Sequence, residues 1–389
     1  MAGGAQTAPL AGLRVVELAR VLAGPWAGQI LADLGADVVK VEAPEGDDTR
    51  RWGPPFVEVE GERAAAYFQS ANRGKRAIRA DFRDPEDLAT VRTLIARADV
   101  VIENFKVGGL ARFGLDAASL RAAHPGLVYC SITGFGQTGP YAGRAGYDFL
   151  IQGMSGIMSL TGDPAGEPQK IGVAFTDIFA GLYAVIGIQA ALAARGISGQ
   201  GAHVDIALLD CATGVLANQA LNYLSTGTAP QRMGNAHPNI VPYQVFACAD
   251  GHVILAVGND GQFRRACGVL GCAALADDAR FATNEARLAH RAALLAEIGP
   301  RIAARGRDAL LAAFEDAVVP AGPINTLDQV FADPQVRARG MAIAPDGVPG
   351  LRLPFLLDGC APGGTRRAPR LGEHDAEIRA ELEGHALGG

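Results

Sequence analysis

The sequence predicts an α/β protein with a parallel-sheet large domain and a smaller α+β domain. Short apolar runs alternate with helical stretches over the first 210 or so residues, and polar, glycine-rich loops follow several of those runs. Strands that alternate with helices form βαβ units, whose right-handed crossovers build a parallel sheet. With 389 residues, the chain is long enough for two or three domains and a large core.

The first βαβ unit is predicted from a strand at residues 13–18, a helix at 26–34 and a strand at 36–41. Gly24 and Pro25 suit the start of that helix, because proline fits the first helical position. The turn lacks the GxGxxG spacing of a dinucleotide site. It still follows a parallel strand, which is where such folds bind ligands.

Further strands are predicted at residues 99–105, 127–133 and 202–208, with helices at 84–96 and from 148 to about 158. Polar loops rich in glycine follow the strands that end near residues 18, 105 and 133. Because the carboxyl ends of parallel strands meet at one edge of a sheet, these loops should converge on a shared site.

Residues 172–192 form the most apolar long run of the chain and predict a helix that is buried nearly all round. One carboxylate, Asp177, lies near its start. Acidic residues are favoured in the first turn of a helix, so Asp177 could be a cap. It could also be a catalytic group, but this stretch alone favours the cap.

Residues 72–83 are the densest positive segment. They could bind phosphate through charge-assisted hydrogen bonds, or they could be a solvated loop and an edge strand. Residues 225–242 are long and irregular and carry His237. Loops of that length in compact domains are functional or lie between domains.

Composition narrows the function classes. A net charge of −6 argues against nucleic acid as the main partner. The six cysteines are scattered without metal-ligand spacing, so no metal site and no disulfide framework are expected. No signal-peptide pattern begins the sequence, and the apolar run is interrupted by Asp177, Gln189 and glycines. These patterns predict a cytoplasmic protein without a membrane partner.

Six segments, taken together, resemble the class III CoA-transferases, the formyl-CoA transferase and carnitine CoA-transferase family of CaiB/BaiF type. They lie at residues 20–25, 36–42, 72–76, 103–105, 132–140 and 144–148. The resemblance continues to residues 371–374 and so covers essentially the whole chain.

The resemblance implies a Rossmann-like large domain formed by residues 1–224 and 325–389. Residues 225–243 would be a linker and active-site loop, and residues 244–324 the small α+β domain. Two such subunits would interlock as a homodimer. Coenzyme A and acyl-CoA would be substrates, with no tightly bound cofactor.

The resemblance also assigns site residues by position. Asp177 falls at the nucleophilic aspartate. A substrate loop would comprise Gly234, Asn235, Ala236 and His237. The expected CoA contacts are Val21, Leu22, Ala23, Ala80, Asp81, Phe82, Arg83, Asn104, Phe105, Arg112, Ala145, Gly146 and Tyr147.

Within the family, residues 51–56, 129–133 and 240–244 resemble the branch that transfers CoA from succinyl-CoA to C4–C6 dicarboxylates such as glutarate. Departures at Leu22, Ala43 and residues 234–237 argue against formate and oxalate. A dicarboxylate needs a cation for its far end. The candidates are Arg51, Arg73 and Arg144.

The competing function is that of the α-methylacyl-CoA racemases of the same family. Proton abstraction on two faces of a substrate needs a second acid/base group. Those racemases supply a His from a Gly-His-Asp triplet, whereas this chain has Gly146-Tyr147-Asp148. A phenol, with a pKa of about 10, is a poor base at neutral pH, so the transferase is favoured.

Overall fold

The computed structural model describes residues 8–59, 61–364 and 366–384. The chain divides into two compact units. The first contains the residues up to Ile157, Lys170–Gly227 and those from Gln335 onward, and the second contains Met158–Gln169 and Thr228–Pro334. The sequence places residues 158–169 and 325–334 in the large domain, whereas they belong to the second unit; the predicted domain ranges stay a prediction.

The strands and helices alternate along the first 210 residues, as predicted. The strands are β1 (Arg14–Glu17), β2 (Asp37–Glu42), β3 (Phe56–Val59), β4 (Glu62–Ala65), β5 (Arg76–Arg79), β6 (Val100–Glu103), β7 (Val128–Thr133), β8 (His203–Ala207), β9 (Tyr243–Cys248), β10 (Gly251–Ala256), β11 (Ala321–Gly322), β12 (Ala342–Ile343) and β13 (Gly350–Leu351). The helices are α1 (Ala23–Asp33), α2 (Ala66–Asn72), α3 (Pro85–Ala96), α4 (Ala117–Ala123), α5 (Asp148–Met154), α6 (Ile157–Leu160), α7 (Phe175–Ser198), α8 (Leu208–Gly214), α9 (Ala217–Thr226), α10 (Asp260–Val269), α11 (Asn284–Ala289), α12 (Arg291–Ala303), α13 (Arg307–Asp316), α14 (Leu327–Ala332), α15 (Pro334–Ala338) and α16 (Asp375–Gly384).

The first unit is built on a six-stranded sheet in the order β5-β2-β1-β6-β7-β8, and every pairing in it is parallel. The predicted parallel sheet is therefore confirmed. The chain proceeds outward from β1 to β5 in one direction, then returns to β6 and proceeds in the other. The strand order thus reverses between β1 and β6, the place where open α/β sheets bind ligands.

Helices cover both faces of this sheet, because successive strand residues point to opposite sides. Val15 belongs to a core shared with α1, α7 and α8, whereas Val16 belongs to a core shared with α3, α4 and α16. Strands buried on both faces read as continuous apolar runs, which is why the sequence revealed them.

Helix α7 is not buried all round within the single chain, so that prediction is wrong. Gly181 packs directly on α1, where an added Cβ would lie 2.8 Å from the carbonyl oxygen of Ala23. On other faces, however, Tyr183 is 40% exposed and Ile186 62% exposed. By length and hydropathy α7 could also cross a membrane, a property that core helices of soluble proteins share.

The second unit contains the antiparallel sheet β11-β10-β9, with helices α10 to α13 packed around an apolar core. Phe263, Phe281 and Leu294 are fully or almost fully buried in this core. The guanidinium of Arg287 is also buried, where it donates to the carbonyl oxygens of Val241 and Phe281 and pairs with Asp260. The core thus encloses a charged side chain whose hydrogen-bond donors have partners.

Most of the basic segment serves the fold. Arg73 pairs with Asp33, and the buried Lys75 lies 2.7 Å from Glu17. Arg76, on edge strand β5, contacts Asp37 at 2.6 Å as well as Glu377 and Glu381. The hypothesis of a phosphate-binding patch is therefore wrong for Arg73, Lys75 and Arg76. Their charges are neutralised by carboxylates that are distant along the chain.

Candidate active site

The loops that follow β1, β6 and β7 converge at the carboxyl edge of the sheet, as the sequence predicted. The first two are joined by Asn104, whose side-chain oxygen accepts from the N–H of Arg20 (2.9 Å) and whose amide donates to the Arg20 carbonyl (2.6 Å). Asn104 was predicted to line the CoA tunnel. In the structure its amide fixes the backbone of the turn that precedes α1.

The loop after β7 and the loop before α5 meet through two glycines. A Cβ added to Gly146 would lie 2.4 Å from Cα of Gly134, and one added to Gly134 would lie 2.5 Å from Cα of Gly146. Real Cβ atoms do not approach that closely, so only glycine fits at both positions. This contact sets the position of Tyr147 and Asp148, which come next in the chain.

A cavity of about 330 Å³ opens between the ends of β1, β2, β5 and β6. Its volume and its place at the strand-order reversal suit a small-molecule site. Six of the predicted CoA contacts line it: Ala80, Asp81, Phe82, Arg83, Phe105 and Arg112. The others, Val21, Leu22, Ala23, Asn104, Ala145, Gly146 and Tyr147, lie outside its lining.

Of the three arginines that line this cavity, Arg83 and Arg112 are predicted CoA contacts. The Arg83 guanidinium is exposed and pairs with Asp81 at 2.7 Å, which lowers the pKa of Asp81 to about 2. Arg112 lies over the ring of Phe113, with its guanidinium carbon 4.5 Å from the ring centre. Either could bind a phosphate, although Arg83 would have to share its charge with Asp81.

Asp177 occupies the first turn of α7 and does not cap it. The N-cap residue, Ala174, has no capping side chain. Instead Asp148, from α5, accepts hydrogen bonds from the backbone N–H and the hydroxyl of Thr176, both at 2.8 Å. Gln152 donates to the other oxygen of Asp148 at 2.8 Å. Among the described residues, none donates a hydrogen bond to the Asp177 carboxylate, so the cap hypothesis is wrong.

Burial and the neighbouring charge of Asp148 raise the pKa of Asp177 to about 7. Burial removes water from the carboxylate, and a second anion nearby disfavours ionisation further. The position of Asp177 at a helix start therefore does not keep its carboxylate readily ionised. A carboxylate with a raised pKa and no hydrogen-bond donor is a strong nucleophile once ionised.

Tyr67 lies near Asp177 and Asp148, and Trp52 packs against Tyr67; the sequence reasoning missed both. Burial, followed by the charges of Asp177 and Asp148, raises the pKa of Tyr67 to about 12, so its hydroxyl stays protonated. The rings of Tyr67 and Trp52 pack edge to face with centroids 5.2 Å apart. No local pattern marks Tyr67, because its place depends on how α2 packs in the folded unit.

The predicted substrate loop, residues 234–237, belongs to the second unit. Within it, the N–H of His237 donates to the carbonyl of Tyr243 (3.0 Å), and the His237 ring packs against the Tyr243 ring. Burial and then Arg291 lower the pKa of His237. The loop is therefore ordered by its own unit, and its role at Asp177 stays a prediction.

The three candidate cations for a distal carboxylate differ in availability. Arg73 is buried against Asp33 and is excluded. Arg51 is exposed and pairs with Asp48 at 3.1 Å. Arg144 is exposed and lies over the rings of Phe135 and Tyr141, at 5.3 and 4.5 Å from their centres.

A model of the family described as CoA-transferase family III matches residues 10–375. The chain is 59% identical to the succinate–glutarate CoA-transferase of Agrobacterium fabrum over 383 residues, 96% of each protein. It is 39% identical to the succinyl-CoA:glutarate CoA-transferase of Homo sapiens over 382 residues, 96% of this chain and 86% of the human protein. The crystal structure of a CAIB/BAIF family protein from Brucella suis has a TM-score of 0.87 and 64% identity, covering 97% of this chain and 100% of that one.

Proposed function

Because the chain belongs to CoA-transferase family III, and so uses CoA thioesters as substrates, we propose that it moves CoA from succinyl-CoA to a C4–C6 dicarboxylate such as glutarate. We propose Asp177 as the nucleophile. The observation that carries this assignment is the state of its carboxylate, which is partly buried near Asp148 and has no hydrogen-bond donor among the described residues. The relatives named for succinate and glutarate support the choice of acids.

The chemistry needs no net proton transfer. An oxygen of Asp177 attacks the donor thioester carbonyl, the C–S bond breaks, and a mixed anhydride and CoA thiolate form. The thiolate attacks the aspartyl carbonyl of the anhydride, which releases the first acid as its carboxylate and leaves an aspartyl-CoA thioester. The acceptor carboxylate then attacks this thioester and frees the thiolate. Attack of the thiolate on the acceptor acyl group forms the new acyl-CoA and restores Asp177.

Both covalent intermediates can hydrolyse, so the site must exclude water. Tyr67 is suited to this, because it lies near enough to Asp177 for that charge to raise its pKa, and the ring of Trp52 packs against it. Tyr67 remains a neutral phenol and can donate a hydrogen bond to an oxyanion without itself losing a proton. Residues 234–239 are our candidate for a loop that closes over the intermediates.

A substrate panel tests the acids. With succinyl-CoA as donor, we expect glutarate to be accepted with a kcat/KM at least about 100-fold above that of pentanoate, which lacks only the distal carboxylate. Arg144→Gln should remove most of that preference by lowering the glutarate value, whereas Arg51→Gln tests the second candidate cation. Equal rates for glutarate and pentanoate would refute the dicarboxylate proposal. Exchange of the α-proton of a 2-methylacyl-CoA in heavy water, without CoA transfer, would support the racemase instead.

We also propose that the chain is an interlocked homodimer. The support is an unusual amount of exposed apolar surface on α5, α7 and α9, where Phe149 is 60%, Ile186 62% and Leu224 73% exposed. Extensive exposed apolar surface is typical of obligate interfaces. A second copy would cover it.

Mixing protein of natural and heavy-isotope composition tests the interlock. We expect native mass spectrometry to find only the two parent dimers after a day, because linked chains must unfold before they separate. Brief unfolding and refolding of the same mixture is the control and should give the mixed dimer. Mixed dimers forming without unfolding would contradict the interlock, and a monomer would contradict the dimer.

A further inference from the structure

The turn between β1 and α1 contains a strained residue. Val21 has a φ of +69°, in the left-handed region that L-residues avoid. For a β-branched side chain this conformation is a genuine outlier. Such a conformation persists only where the surrounding structure holds it, and it is concentrated at functional sites. The turn carries the first predicted CoA contacts, so what holds Val21 bears on the reaction.

The buried carboxylate of Asp47 holds Val21. The Val21 N–H donates to both of its oxygens, at 3.1 and 3.3 Å. Thr49 fixes the orientation of that carboxylate, because its N–H and its hydroxyl donate to the same oxygen at 3.0 and 2.7 Å. The Asp47 side chain is 1% exposed, so water does not compete for these bonds.

Lys40 connects Asp47 to a second point of the turn. Its ammonium lies 3.1 Å from Asp47 and donates to the carbonyl of Ala19 at 2.8 Å. The same ammonium lies 3.1 Å from Glu17. Lys40 therefore holds the backbone before Val21 through its hydrogen bond to the Ala19 carbonyl. It holds the backbone of Val21 indirectly, through its ion pair with Asp47.

Glu17 extends the network to a third point. It lies 2.7 Å from the ammonium of Lys75, which donates to the carbonyl of Pro25, in the first turn of α1, at 2.8 Å. Gly28 makes room for Glu17, since a Cβ there would lie 1.8 Å from the carboxylate. The two lysines and two carboxylates balance in charge.

An apolar core would stabilise the fold as well as buried charges do, and often better. The groups of this buried network also form hydrogen bonds with the turn backbone at Ala19, Val21 and Pro25. Balancing the four charges would not require those bonds. Burial opposes ionisation of Asp47, but Lys40 and Thr49 outweigh it and hold the pKa of Asp47 below its usual range. Asp47 is therefore ionised at neutral pH, and its carboxylate accepts the Val21 N–H.

We propose that Asp47 is a positioning residue for CoA transfer, which keeps Val21 in the left-handed conformation and so holds the 20–23 backbone where the CoA thioester docks. Asp47 borders the 330 Å³ cavity, but its side chain is only 1% exposed, so we assign its effect to the Val21 backbone that it holds. The inference rests on the proposed function in one respect, that residues 21–23 contact CoA. It does not depend on which acids react or on the identity of the nucleophile.

A rescue experiment tests the proposal. Asp47→Asn removes the anion that pairs with Lys40 and accepts the hydrogen bond of the Val21 N–H. It should weaken CoA binding and lower kcat/KM by about 10- to 100-fold. Adding Val21→Gly, which adopts the left-handed conformation unaided, should recover most of both quantities. The lost melting temperature should not recover, because Lys40 still lacks one of its two carboxylate partners. Binding is measured calorimetrically with CoA itself, and activity with succinyl-CoA and glutarate.

The matched control is Asp48→Asn, which removes the neighbouring carboxylate, 49% exposed and paired only at the surface with Arg20 and Arg51. It should change CoA binding by less than about twofold. Thr49→Ala, which loosens Asp47 and leaves all four buried charges in place, serves if Asp47→Asn does not fold, and Val21→Gly should rescue it too. Full CoA affinity in Asp47→Asn, or a loss that Val21→Gly leaves unchanged, would overturn the proposal. An active Asp177→Asn enzyme would refute the proposed nucleophile and leave this result intact.

Discussion

Replacement of Asp177 by asparagine or alanine should abolish CoA transfer, with a loss of kcat of at least about a thousandfold. An amide is not a nucleophile toward a thioester, and alanine offers no oxygen at all. CoA binding should persist, because the cavity near Arg83 and Arg112 is unchanged. The measurement is acyl-CoA exchange between succinyl-CoA and glutarate, together with calorimetric CoA binding.

Asp210 provides a matched control. It is the third residue of α8, as Asp177 is of α7, and it is exposed. Asp210→Asn should therefore retain activity within about twofold. Hydroxylamine added during turnover should modify Asp177 and no other carboxylate. Near-normal transfer by Asp177→Ala, or trapping at another residue, would move the nucleophile elsewhere.

The same assignment fixes the pH dependence. The pKa of Asp177 is raised to about 7, so the reactive anion accumulates as the pH rises through that value, and kcat/KM should rise with it and then level off. The effect of pH on stability has the opposite sign: raising the pH increases activity but lowers the free energy of unfolding. Between the ordinary value of 3.8 and about 7 the folded chain binds a proton that the unfolded chain releases, so Asp177 costs stability increasingly as the pH rises. Asp177→Asn should thus raise the melting temperature more at pH 8 than at pH 5.

The sequence predicted the sheet and the convergence of its loops well, because both depend on local patterns. Strands buried on two faces are continuous apolar runs, and β1, β6 and β7 are neighbours in the sheet. The start of α7 was equally visible, since Asp177 interrupts an apolar run. What that carboxylate does was not visible, because the acceptor of the hydrogen bonds that cap α7 is Asp148, which lies 28 residues before their donor, Thr176.

The pairing of charges was the least predictable feature. The segment at residues 72–83 looks like a basic patch in sequence, yet Arg76 is neutralised by Asp37, Glu377 and Glu381. Pairs separated by tens or hundreds of residues leave no periodic signal. The sequence did not reveal the contact between Tyr67 and Trp52 for the same reason. Nor did it reveal the hydrogen bonds from Val21 to Asp47, because the strained backbone of Val21 exists only in the folded chain.

Gly146→Ala should reduce kcat/KM by about 100-fold and lower the melting temperature by several degrees. The new Cβ would fall 2.4 Å from Cα of Gly134, and both partners are backbone, so neither can rotate away. Relief requires the loop before α5 to move off the end of β7. That movement displaces Asp148, two residues later, which holds Thr176 at the start of α7.

Gly143→Ala is the control in the same loop, because a Cβ there has nothing within 4 Å. It should leave activity unchanged and, by restricting the unfolded chain, should not lower the melting temperature. The comparison isolates the backbone contact from the general effect of losing a glycine. If the two variants behave alike, the Gly134–Gly146 contact does not position Asp148. A difference in kcat/KM with equal melting temperatures would show that the contact acts on the placement of Asp177 rather than on folding, since the path from Gly146 to the nucleophile passes through Asp148 and Thr176.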